Sequence, residues 1–224
     1  MTLSIAGRCA QTGQMGIAIT SSSIAVGARC PWLRAATGAV STQNITLPAL
    51  GPQILNLLQL GESAEAALKA GLASDAYAQY RQVTVLSADG QTASFSGDKT
   101  LGINNAQSGA NCIAAGNLLA NPNVITAMVN VFEQQQGHLA GRLLAALQAG
   151  IQAGGEAGPV HSAALKIVDD QVWPVVDLRV DWSDADPVAA LSRLWLAYQP
   201  QMQDYVTRAL DPTRAPGYGV PGDE

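Results

Sequence analysis

Residues 81–97, RQVTVLSADGQTASFSG, constrain the fold more than any other stretch. Val83 and Val85 alternate with polar residues before Asp89-Gly90, and Ala93 and Phe95 alternate after it. Period-two alternation on both sides of an Asp-Gly pair specifies an antiparallel hairpin. The same arrangement recurs. Residues 3–9 (LSIAGRC) and 15–20 (MGIAIT) read as two short apolar strands joined by the turn AQTGQ. Residues 161–180 read as a second-half hairpin turning at Asp169-Asp170. GAVSTQ at 38–43 and ANCIAAGN at 110–117 read as further buried strands, and SSSIAVGARCPW at 21–32 as an irregular Gly/Pro/Ser segment.

Between these strands the period changes to that of a helix. Ile54, Leu55, Leu57 and Leu58 fall on a helical repeat that Gly61 ends, and Ser63 caps a second short helix over 64–71. Asn121-Pro122 supplies an N-cap and first helical position, with Val124, Met128 and Phe132 on one face as far as Gly137. Leu139, Leu143, Leu147 and Ile151 then repeat every four residues to complete a helical hairpin. Asp186-Pro187 starts a last helix with Val188, Leu191, Trp195 and Tyr198 on its core side, and Pro200 breaks it. Strands connected as hairpins, with helices grouped between them, are not the βαβ alternation of a doubly wound fold. They predict an α+β, four-layer αββα sandwich: two mostly antiparallel sheets between helix layers. The strands at 3–9 and 15–20 are rich in Gly and Ala, so something packs closely on them. One domain is expected over 1–210, followed by a Pro/Gly-rich tail over 211–224.

Charge bears on partners. Only 13% of the 224 residues are charged, the net charge is −5, and no basic cluster exists. Nucleic-acid binding by phosphate neutralisation is therefore not expected. No apolar run reaches membrane-spanning length and no signal peptide is read at the N-terminus, so no membrane partner is expected. Three cysteines without a CxxC spacing fit reduced thiols in a cytoplasm. The two histidines stand in no zinc-binding spacing, so neither a metal nor another cofactor is expected. So few charges on a 48% hydrophobic chain suggest that apolar surface is hidden in a homodimer.

Thr2 stands out chemically. Removal of Met1, usual when the next side chain is small, places a free α-amine and a hydroxyl on one residue. The amine titrates at about 7.7–8.0 and serves as base for its own hydroxyl. The plain alternative is an ordinary strand residue. Asn117, after Gly116, offers an amide that donates to an oxyanion. Gln43, Asn44, Arg81 and Gln82, with Thr42, are polar groups at strand ends and candidates for substrate binding, against turn chemistry or a surface ion pair as the alternatives. Ser21, Ser22 and Ser23 follow the second strand. His161 with Asp177 or Asp181 invites a hydrolase reading, but VHSAA is not a nucleophile elbow, and the alternating VDLRVD reads better as an ion-pair ladder.

The chain resembles the bacterial and archaeal DUF1028 family. The matching stretches are MTLSIAGR (1–8), PWLRAATGAVSTQ (31–43), RQVTVLSADGQTASFSG (81–97), GNLLA (116–120), FEQQQGHLAGRLLAALQAGIQAGG (132–155), HSAAL (161–165) and VDLRVD (176–181), in order over about 1–195. The resemblance implies the N-terminal nucleophile (Ntn) hydrolase fold, in which the first residue of the first strand cleaves an amide. It thereby implies Thr2 as nucleophile acting on a small-molecule or peptide-like substrate. No basic partner for Thr2 follows a motif: the lysines are Lys69, Lys99 and Lys166, and Arg29 or Arg34 would have to substitute. The loop EAGPV, with Glu156 and Pro159, departs from the pattern of relatives. The competing reading keeps Met1 and makes the same sandwich a non-catalytic ligand-binding or assembly module.

Overall fold

Ten strands and six α-helices carry the chain of the computed structural model, which describes residues 2–220. The first sheet holds β1 (Thr2–Arg8), β2 (Met15–Ser21), β7 (Asn105–Gly109), β8 (Cys112–Asn117), β9 (Ser162–Val168) and β10 (Val176–Val180). Their order is β10-β9-β2-β1-β8-β7, and every pairing is antiparallel. The second sheet is β3 (Pro31–Arg34), β4 (Gly38–Asn44), β5 (Arg81–Ser87) and β6 (Thr92–Ser96), in that order and also antiparallel.

Helices α1 (Leu50–Gln59) and α2 (Ala64–Ala73) cover the outer face of the four-stranded sheet, on Val40, Val83 and Val85. Helices α3 (Asn123–Gln134), α4 (Leu139–Gln152) and α5 (Pro187–Tyr198) cover the outer face of the six-stranded sheet, on Leu3, Ile5, Leu165 and Ile167. The two inner faces meet through Ala6, Ile17, Ala39, Leu86 and Ile113. This is the α+β, four-layer sandwich that the hairpins predict.

The small residues have a packing reason. A Cβ on Gly7 would lie 2.5 Å from the Phe132 ring, and one on Gly16 would lie 2.7 Å from a Leu143 methyl. The helical hairpin thus sits close on β1 and β2, where larger side chains would force it away.

Local capping follows sequence at two helices. The Ser63 hydroxyl accepts from the Ala66 amide, and Asp186 accepts from the amides of Val188 and Ala189 ahead of Pro187. Elsewhere the chain differs from expectation. Helix α2 runs to Ala73, past the expected end at 71. Helix α3 begins at Asn123, because the Asn121 carboxamide oxygen accepts from the Asn123 amide in a turn before the helix. Strands β3 and β7 have no alternation to betray them. β3 begins at the end of the stretch read as irregular, and NAQSG of β7 is an edge strand rich in polar and small residues. After Tyr198 a 3-10 turn leads into a sixth helix, α6 (Met202–Leu210), so Pro200 separates two helices where an end was expected. The expected tail from 211 folds back in part: Arg208 donates to the Pro216 carbonyl and lies 3.9 Å from the centre of the Tyr218 ring. Residues 221–224 of that tail, and Met1, lie outside the described residues.

Among the described residues no helix is long and apolar enough to cross a membrane. Cys9, Cys30 and Cys112 are all free thiols, and burial pushes those of Cys30 and Cys112 up to about 11 and about 12.

Candidate functional site

Alternation assigns every second residue of the four central strands to the layer between the sheets. On β1 these are Thr2, Ser4 and Ala6, and on β8 Asn117, Ala115 and Ile113. On β4 they are Gln43, Ser41 and Ala39, and on β5 Gln82, Thr84 and Leu86. Each strand therefore runs from polar to apolar in the same direction through the molecule. The polar ends gather around the start of β1, and all of these polar side chains are buried.

They satisfy one another through a directed network. The Ser4 and Ser41 hydroxyls donate to Gln43 Oε1 at 2.7 and 3.2 Å. Gln43 Nε2 donates to Gln82 Oε1 at 2.7 Å, which also accepts from Asn117 Nδ2 at 3.1 Å. Gln82 Nε2 in turn donates to the Gly116 carbonyl and to Ser96 Oγ, both at 3.0 Å. Gln82 is the hub and ties the second sheet to β8, while Gln43 ties it to β1 through Ser4. Two buried atoms stay outside the network, Asn117 Oδ1 and Thr84 Oγ1. Buried polar atoms without partners are uncommon and mark either stored strain or a place for a ligand.

Thr2 opens β1 in the middle of the six-stranded sheet, opposite Asn117 on β8, and is only 4% exposed. Its Oγ1 lies 3.5 Å from Ser21 Oγ, the last residue of β2. Beyond this point a short segment takes over. Leu119 bridges Glu156, the Ala120 amide donates to the Gly155 carbonyl, and the Ala157 amide donates to the Leu118 carbonyl. Glu156 is 6% exposed. Burial pushes its carboxyl up to about 7, while the charge at the chain's amino terminus and hydrogen bonding from Ser22 pull it the other way. Neither carboxylate oxygen has a hydrogen bond of ordinary geometry.

The structure gathers some of the sequence candidates here and disperses others. Thr2, Asn117, Gln43 and Gln82 share the inner layer. Asn44 and Arg81 do not join them. Asn44, at φ +67°, donates to the Tyr80 carbonyl and accepts from the Leu101 amide, clamping two loops. Arg81 forms an ion pair with Asp75 at 2.7 Å and donates to the Ile45 carbonyl, and this guanidinium holds the Asp75 carboxyl below its usual range. Thr42 points to the other face of β4 and meets Thr46 and the Leu47 carbonyl. Gly116 is crowded by Leu119, Leu3 and Ile125, so its missing Cβ makes room for packing and not for a ligand. His161 stacks on Trp182 and donates from Nδ1 to the Ser183 carbonyl. Asp177 pairs with Lys166 and Asp181 with Arg179, the expected surface ladder. Arg34 is spent on Asn56 and Gln59, Arg29 on the Ala25 carbonyl, and Lys99 on Tyr80. Among the described residues no group of three His, Cys, Asp or Glu side chains could hold a metal ion.

Sequence reasoning missed Ser4, Ser41 and Ser96, small hydroxyls on apolar strands. Their signal was present: Ser4 and Ser41 stand two residues from Thr2 and Gln43, on the same face. Glu156 was noticed only as a departure from pattern, because nothing local says that its loop closes over β1.

Open clefts of about 530 and 600 Å³ lie at the opposite end of the sandwich, around the turn at 35–37. They hold none of the polar inner residues.

Comparison with known proteins places the chain. It is similar to the crystallised protein SPO2555 from Silicibacter pomeroyi, itself assigned to DUF1028, at 29% identity and a TM-score of 0.83, with 88% of this chain and 89% of that one covered. A far weaker likeness, 11% identity and a TM-score of 0.39 over 97% of this chain and 100% of the other, is to Anbu (ancestral beta-subunit) from Yersinia bercovieri, and nothing is built on it. No curated protein matches. The DUF1028 family, described as a family of unknown function, matches residues 2–191, and the chain belongs to it.

Proposed function

We propose that the protein is an amidohydrolase of the N-terminal nucleophile type. It hydrolyses a small amide or peptide-like bond with Thr2, exposed by loss of Met1. The observation that carries this reading is the place of the Thr2 hydroxyl. It stands at the head of a central strand, on the inner face of the sandwich, beside Ser21 and opposite Asn117. The α-amine takes the hydroxyl proton as Oγ1 attacks the carbonyl carbon. The C–N bond of the tetrahedral intermediate then breaks, and the α-ammonium gives that proton to the departing amine. Water hydrolyses the ester so formed to a carboxylic acid and free Thr2. Asn117 and backbone N–H groups stabilise the oxyanion. One Nδ2 proton of Asn117 is held by Gln82, which fixes the amide plane and leaves the other for substrate. Gln43 and Gln82 act behind Asn117 as its support, and Asn44 and Arg81 shape the loops at the rim. Free thiols suit a reducing, cytoplasmic setting.

A second reading is favoured by how little of Thr2 is exposed: with Met1 retained, the sandwich is a non-catalytic ligand-binding or assembly module. Intact-mass analysis of the protein from its own host separates the two. Quantitative retention of Met1 sinks the hydrolase. With Met1 absent, Thr2→Ala is expected to lower turnover of a cleaved amide by at least about 1,000-fold. Unchanged turnover moves the site elsewhere.

A further inference from the structure

The buried carboxylate of Glu156 has no assigned role, and its position supplies one. In the six-stranded sheet β1 lies between β2 and β8. Leu3 pairs with Thr20 on one side, and Thr2 pairs with Asn117 on the other. Both neighbours continue past the first residue of β1, through Ser22 and through Leu118–Ala120. The segment 155–157 hydrogen-bonds to residues 118–120, and Glu156 approaches Ser22 on the far side. Glu156 therefore lies between the continuations of β8 and β2, beyond the end of the sheet at which β1 begins.

A carboxylate is costly to bury alone. This one is 94% buried by its 6% exposure, and both oxygens lack an ordinary hydrogen bond. Among the described residues no charged side chain acts on it, and the groups that do are the amide and hydroxyl of Ser22. A group with this chemistry suits a cation held at the head of β1.

We infer that Glu156 is the positioning residue for the α-ammonium of Thr2 in the chain that has lost Met1. The inference rests on the proposed loss of Met1. The carboxylate holds the ammonium at the head of β1 and accepts one proton from it. That transfer leaves a neutral amine and a neutral carboxyl group. The amine lone pair is then free to take the Thr2 hydroxyl proton. Burial brings the carboxyl near 7, within reach of the ordinary amine range of about 7.7–8.0, so the proton passes at little cost.

The test uses the full chain prepared to begin at Thr2, labelled with ¹³C-threonine. The Thr2 Cα resonance, assigned by its loss in Thr2→Ser, reports ionisation of the α-amine as pH is raised. The midpoint is expected about one pH unit lower in Glu156→Gln than in the parent, a tenfold change in ionisation constant, because the carboxylate that favours the ammonium is gone. Equal midpoints in two folded proteins overturn the inference. Should Glu156→Gln fail to fold, Glu156→Asp keeps the charge but withdraws it by one methylene. Its midpoint must then fall too, and an unchanged one overturns the inference equally. The titration requires no hydrolysis. Unchanged turnover in Thr2→Ala would remove the proposed function while leaving the titration result standing, so the two fail separately.

Discussion

The layer between the sheets is held together differently at its two ends. At the end near the 35–37 turn, Ala6, Ile17, Ala39, Leu86 and Ile113 pack without polar atoms. At the end where β1 begins, Ser4, Ser41, Gln43, Gln82 and Asn117 replace them with hydrogen bonds. Strands β1, β4, β5 and β8 run through both ends, and both ends are buried. The apolar end tolerates any side chain of suitable volume. The polar end tolerates only groups whose donors and acceptors match in direction, since each orphaned atom costs about 1–3 kcal/mol. An apolar core needs no such network for stability. A fixed polar lining beside Thr2 is what the proposed hydrolysis would use.

Substitutions break the comparison in decreasing order of effect. Ile17→Ala at the apolar end leaves a cavity under both sheets and is expected to cost about 4 kcal/mol, read by denaturant unfolding. A cost below about 1 kcal/mol would mean that the layer collapses freely there. Next comes Glu156. In the chain carrying Met1 its folded pKa of about 7 lies above the ordinary 4.5, so the folded state holds the proton more tightly. The associated stability is complete below pH 4.5 and is lost as pH rises to 7, about 3 kcal/mol in all. Glu156→Gln should flatten that window relative to the parent. Identical pH profiles of unfolding would show that the carboxyl is solvated.

Gln82→Met removes the hub and takes from Gln43 Nε2 and Asn117 Nδ2 the acceptor they share. A loss of about 2–3 kcal/mol is expected, and adding Gln43→Met should restore part of it, because replacing both partners by apolar groups relieves the orphaned donor. Strict additivity in that double-mutant cycle would deny the coupling between the two glutamines. The smallest effect is at Thr84, whose buried hydroxyl has no partner. Thr84→Val keeps the shape and is expected to raise stability by about 1 kcal/mol, seen as a higher melting temperature. A fall of similar size would reveal a water or ligand bound to that hydroxyl.

Much of the architecture was legible because it is periodic. Val83, Val85 and Phe95 around Asp89-Gly90 became β5 and β6, and the Leu139-to-Ile151 repeat became α4. Strands β3 and β7 were not legible, since edge strands of mixed residues carry no alternation, and α6 follows a proline that reads as a stop. In the site, Thr2, Asn117, Gln43 and Gln82 were picked out as polar groups at strand ends. That Asn44 and Arg81 turn away from them is a matter of parity: each is one residue from a glutamine, so each falls on the opposite face.

The sequence by itself determined the hairpins, the helix pairs and the order of polar and apolar residues along each strand, because these depend on neighbours two to four residues apart. Only the tertiary structure decided that four strands align their polar ends and that the 155–157 loop brings Glu156 to the head of β1. Those contacts join residues far apart in sequence, through register and packing between layers. No local pattern encodes which carboxylate will be left without a partner.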